Sequence, residues 1–150
     1  MKAPSLLLGL LCGFLTACVS TMPRPSRSTH VVTVGAGFIH PKEARKFHYD
    51  MLYRLSGLAP GKYVATAWFE NPSPGGKPMV VHKTFTAPLE KLRIDSPPLD
   101  YLKIGETYEV RLEIRRGSGS GELVDSHSQR VFFNFDREIA RVLGTKTLVD

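Results

Sequence analysis

From Phe47 to Leu55 every second residue is large and apolar: Phe47, Tyr49, Met51, Tyr53 and Leu55 are separated by residues that include His48, Asp50 and Arg54. A β-strand sends successive side chains to opposite sides, whereas a helix repeats its faces every 3.6 residues. The spacing therefore predicts a strand with one buried and one wet face. The same period governs most of the chain that follows. Tyr63, Ala65, Ala67 and Phe69 share one face of a stretch from Lys62 to Glu70, with Val64, Thr66 and Trp68 on the other. Tyr108, Val110, Leu112 and Ile114 alternate with Glu109, Arg111, Glu113 and Arg115.

Shorter or less regular strands complete the pattern. Val32, Val34, Ala36 and Phe38 alternate in a segment that His40-Pro41 ends, Met79 to Thr86 reads as a strand, and Leu92 with Ile94 suggests a short one before Pro97-Pro98. Leu123 to Phe135 returns after Gly117-Ser118-Gly119-Ser120-Gly121, with Val131, Phe133 and Phe135 able to share a face. Turn chemistry separates these runs at Ser56–Gly61 and Asn71–Gly76, where Pro presets φ and Gly accepts a positive one. No long helical pattern intervenes, which argues against a parallel α/β sheet. The expected fold is all-β, an antiparallel sandwich of about seven strands over residues 30–136 with one core. After it, Ile139, Val142 and Leu143 follow helical spacing from Asp136, and Gly144 can close the turn. Residues 137–150 are thus expected to hold a short C-terminal helix and tail. So short a helix must dock to be ordered, since runs under roughly 12 residues are marginal alone.

Two corners resemble known sandwiches. Leu58-Ala59-Pro60-Gly61-Lys62-Tyr63 resembles the Leu-x-Pro-Gly-x-Tyr corner of transthyretin-like and carboxypeptidase-regulatory-like domains. Leu102 to Val110 resembles the corresponding corner of fibronectin type III domains. Such corners bury a Leu, turn on Gly and bring a Tyr hydroxyl to satisfy backbone. They imply an immunoglobulin-like or transthyretin-like sandwich without choosing between the topologies, and folds of this kind mostly serve binding.

Ahead of the strands lies a different kind of segment. Lys2 precedes an apolar run from Leu6 to Leu15, broken by Gly9 and Gly13, and the run ends in Leu15-Thr16-Ala17-Cys18. Ten residues are too few to span a bilayer, which takes roughly 20. The box resembles that of bacterial lipoproteins, in which residues 1–17 are a signal peptide and the cysteine is lipidated as the first mature residue. The resemblance implies that Cys18 is acylated and that Cys12 leaves with the signal. With only these two cysteines in the chain, the mature protein would have no thiolate, zinc–thiolate or iron–sulfur chemistry and no disulfide. Val19 after the cysteine, rather than an Asp, resembles lipoproteins sorted to the outer membrane, facing the periplasm. Residues 18–29, rich in Pro, Ser and Thr, read as the lipidated cysteine and a flexible tether. Its eleven residues after Cys18 reach roughly 34 Å if extended like polyproline.

Little in the chain points to catalysis. Gly117–Gly121 formally matches Gly-x-Ser-x-Gly, but a nucleophile elbow needs a strained strand-to-helix turn, and this one joins two strands. Glu109 and Glu113 share a face with Arg111 and Arg115, so ion pairing accounts for them. The formal net charge of +6 is not clustered beside exposed aromatics, which argues against nucleic acid. No enzyme activity and no cofactor are expected. Partner binding is expected instead, either at Trp68, which faces away from the Tyr63 face and needs cover from a loop or helix of the same chain or from a partner, or at Ile139, Val142 and Leu143. The expected function is a membrane-anchored binding lipoprotein, an accessory of an envelope assembly or secretion system and similar to pilotins in size, anchor and fold. The alternative is a small-ligand or metal carrier in which His48, His82 and His127 meet across a sheet to hold copper or zinc.

Overall fold

The computed structural model describes residues 26–41, 46–136, 138–139 and 148–149. Among the described residues nine strand segments follow one another: β1 (Val31–Ile39), β2 (His48–Leu55), β3 (Gly61–Phe69), β4 (Met79–Ala87), β5 (Lys91–Asp95), β6 (Leu102–Lys103), β7 (Thr107–Arg116), β8 (Leu123–Phe132) and β9 (Leu148–Val149). Two antiparallel sheets hold the long ones, a three-stranded sheet of order β1-β2-β5 and a four-stranded sheet of order β4-β3-β7-β8. The two-residue segments β6 and β9 pair in parallel.

The alternating residues do what their spacing predicts. Tyr49, Met51 and Tyr53 on β2, the Tyr63-Ala65-Ala67-Phe69 set on β3, and Val110, Leu112 and Ile114 on β7 are all buried in one cluster. Rings from the two sheets meet across it. Tyr49 lies 5.2 Å from Phe69 between centroids, and Tyr53 lies 6.0 Å from the His127 ring, edge on. The sheets therefore face one another over a single core, as layered antiparallel sheets must to bury their apolar faces. At one end of it Phe133 packs among Phe38, Phe47 and Phe135.

Strand β1 departs from simple alternation. Its pairing with β2 slips by one residue between Thr33 and Gly35. An extra residue in one strand reverses which parity faces inward. Val31 is accordingly buried opposite Leu55, while beyond the bulge Phe38 reaches the core opposite Tyr49. Val32 and Val34 are left on the surface.

Both corners close as their sequences suggest. The Tyr108 hydroxyl accepts the Lys103 N–H at 2.9 Å, and the Tyr63 hydroxyl donates to the Ala59 carbonyl at 2.7 Å. Between Lys103 and Tyr108 the chain turns on Gly105 at φ +85°, a conformation that favours glycine. That turn is tied to β8's end by Gly105 N–H to Phe133 carbonyl and Phe133 N–H to Glu106 carbonyl.

The ends of the chain differ from expectation. Among the described residues a tertiary contact is already made at Ser26, ahead of the expected boundary near His30: its N–H donates to the Ser128 carbonyl on β8. Toward the C-terminus only Glu138 and Ile139 carry helical backbone among the described residues, with the Asp136 carboxylate accepting both of their N–H groups. A C-terminal helix is not established by two residues. Val142 and Leu143 lie outside the described residues, and Leu148–Val149 is strand.

Candidate functional site

The outer face of the four-stranded sheet is built by register. Trp68 on β3 stands opposite Val80 on β4 and Arg111 on β7, and Arg111 stands opposite Ser128 on β8. Directly opposed residues share a face and sit close enough to interact. With the Tyr63 set turned inward, this row points to solvent. The Arg111 guanidinium carbon lies 4.5 Å from the Trp68 ring centroid. A guanidinium over an indole face is attracted by the ring quadrupole, by about 0.5–1 kcal/mol where exposed. Among the described residues Trp68 is thus partly covered from a neighbouring strand, by Arg111. Val80 beside it is 45% exposed.

One step along, the next row reads His82, Thr66, Glu113 and Ser126. Thr66 is buried there, and its hydroxyl and the His82 Nδ1 are 3.0 Å apart. Glu113 pairs with Arg115 at 3.1 Å on the same strand. Of the two β7 carboxylates, Glu113 thus belongs to an ion pair on the outer face.

The three histidines considered for metal are not brought together. His48 lies on the outer face of the three-stranded sheet, because its neighbour Tyr49 is buried. His82 lies on the outer face of the other sheet, and His127 is inside the core at 2% exposure. Moreover β4 and β8 are the two edges of their sheet, about 14 Å apart at the usual strand spacing. Among the described residues no group of three His, Cys, Asp or Glu could hold a metal ion.

His127 has a different role. Ser28 Oγ donates to the Val31 carbonyl, so its oxygen is left to accept from the His127 Nδ1–H at 3.1 Å. Nε2 then carries the lone pair and accepts from the Thr33 hydroxyl at 2.7 Å. The ring is a neutral pin between β8, β1 and the incoming chain. Burial lowers its pKa below the ordinary value, opposed by nearby Asp125. The unfolded chain, with a value of about 6.5, binds this proton first. Stability is therefore expected to fall as pH drops below about 6.5 and to level off once the folded ring also titrates. Thermal melts from pH 7.5 to 5 should show the loss, and His127→Gln should flatten it. An equally steep loss in that variant would remove the role.

Ser118 sits exposed in the turn between β7 and β8, its hydroxyl 3.1 Å from that of Ser120. Ile139 is 53% exposed. Sequence reading missed Arg111 as the cover of Trp68 and Ser28 as a partner of His127. The first needs the β3–β7 register and the second a contact spanning 99 residues; neither leaves a local signal. Compared with known proteins, the chain matches no family model, no curated protein and no solved structure.

Proposed function

We propose that this chain is a lipid-anchored envelope protein, held through Cys18, whose sandwich binds a protein partner with the outer face around Trp68 and Arg111. The observation that carries the binding site is a tryptophan on a solvent-facing sheet surface, stacked by an arginine and flanked by exposed Val80. Trp and Arg are the residue types that most often dominate an interface, at about 2 kcal/mol or more each. The strand order supports an immunoglobulin-like domain. In constant-type immunoglobulin domains the fourth strand joins the sheet of the first, second and fifth. Here β4 pairs with β3 instead, and Tyr108 closes a corner at the start of β7. Together with the resemblance of Leu102 to Val110, this favours the fibronectin type III kind over the transthyretin kind. The role that fits is an accessory factor of an envelope assembly or secretion system.

Trp68→Ala tests the site. The ring lies outside the core, so the melting temperature should stay within a few degrees of wild type, while partner recovered by crosslinking in intact envelopes falls at least tenfold. Arg111→Ala should act in the same direction. Unchanged crosslinking in both variants would eliminate this face.

A further inference from the structure

The incoming chain does not leave the domain from one end but is stitched along an edge. The Ser26 N–H donates to the Ser128 carbonyl at 2.8 Å, and the Ser128 N–H donates to Ser26 Oγ at 2.7 Å. Ser28 reaches His127, and the His30 N–H donates to Asp125 Oδ2 at 2.6 Å. As residue number falls from 30 to 26, the partner on β8 rises from 125 to 128. Followed toward its N-terminus, the chain therefore runs along β8 in the direction of Phe132. That end of the sandwich carries the turns Asn71–Lys77 and Lys103–Glu106, since Glu70 bonds Glu109 and Thr107 stands opposite Phe132. The other end carries Ser56–Gly61 and the Gly117–Gly121 tip.

Reach makes this polarity matter. Eight residue steps separate Cys18 from Ser26, about 25 Å if extended like polyproline. From Ser128 to the Phe132 end is four residues, about 13 Å at a strand rise of ~3.3 Å. That distance uses about half the reach and continues the direction in which the chain already runs. Bringing the Gly117–Gly121 tip to the bilayer requires a reversal at Ser26. It also requires about 17 Å of strand plus the tip itself, which leaves almost no slack. A tether drawn straight and reversed also loses the conformational freedom that a slack one keeps.

Resting on the anchor reading above, we propose that this edge stitch orients the domain. The Asn71–Lys77 and Lys103–Glu106 turns face lipid headgroups, with exposed Lys77 among them, and the Gly117–Gly121 tip points away from the membrane.

The test uses the lipidated mature protein in vesicles of phosphatidylethanolamine and phosphatidylglycerol doped with a headgroup-level quenching lipid. Because Cys18 is alkylated in that form and Cys12 is removed, Lys77→Cys and Ser118→Cys each supply one free thiol for a fluorophore. The Lys77 label should be quenched several-fold more than the Ser118 label. Adding Ser26→Pro, which removes the N–H that bonds Ser128, should shrink that difference. Equal quenching at both sites, or stronger quenching at Ser118, would overturn the orientation while leaving the anchor intact. Protein that fails to float with the vesicles would overturn both.

Discussion

Phe133→Ala is expected to destabilise the domain by about 3 to 5 kcal/mol, a large share of the roughly 5 to 15 kcal/mol that holds a domain of this size together. The ring is 2% exposed and meets Phe38 at 4.9 Å, Phe47 at 5.2 Å and Phe135 at 6.2 Å between centroids. These partners come from β1, from the residue that leads into β2 and from the chain after β8. Truncation would therefore open a cavity that no single strand can shift to fill. The Phe133 backbone also clamps the Gly105 turn through two hydrogen bonds, so relaxation into the cavity would strain the corner that Tyr108 closes. At about 4 to 8 °C per kcal/mol for a domain near 100 residues, the loss should be plain in a thermal melt. Phe132 supplies the control: adjacent and aromatic but 44% exposed, it should cost less than about 1 kcal/mol when truncated. Equal losses in the two variants would contradict the assignment of faces at the end of β8.

Cys18→Ala should abolish lipidation and leave the precursor uncleaved, because in lipoproteins that this N-terminus resembles the acyl group is part of what the processing peptidase recognises. The expected effect is all or none. One acyl chain binds a membrane only reversibly, but several together, at about 0.8 kcal/mol per buried methylene, do not let go. The sandwich itself should be untouched, since its core cluster is built by residues from Val31 to Phe133. Urea titration of the soluble domain would show the midpoint unchanged. Labelled fatty acid entering the variant would place the lipid elsewhere.

The parts of this fold that can be read along the chain are those set by neighbours in sequence. The alternation in β2, β3 and β7 identifies their inner faces because a half-buried strand has no other way to hide its rings. The Leu-x-Pro-Gly-x-Tyr stretch and the Leu102–Val110 stretch foretell their tyrosine hydrogen bonds because each closes within four or five residues. What escapes reading depends on register between distant strands. The bulge near Thr33 turns Val32 and Val34 outward, although period two alone would group them with Phe38. Pairing of Trp68 with Arg111 requires knowing that β7, 43 positions later, lies beside β3. Histidine count suggested a shared metal site, yet topology places His48, His82 and His127 on three different surfaces. Ser26 looked like tether because its hydrogen bonds go to a strand 102 residues away.

The mass of the mature N-terminal peptide, taken from protein extracted from envelopes, tests the anchor most directly. The expected peptide begins at Cys18 and carries lipid of three acyl chains, attached through the cysteine sulfur, in a form that Cys18→Ala never yields. A mature chain that retains residues 1–17, or one whose Cys18 is an unmodified thiol, would contradict the membrane-anchored account.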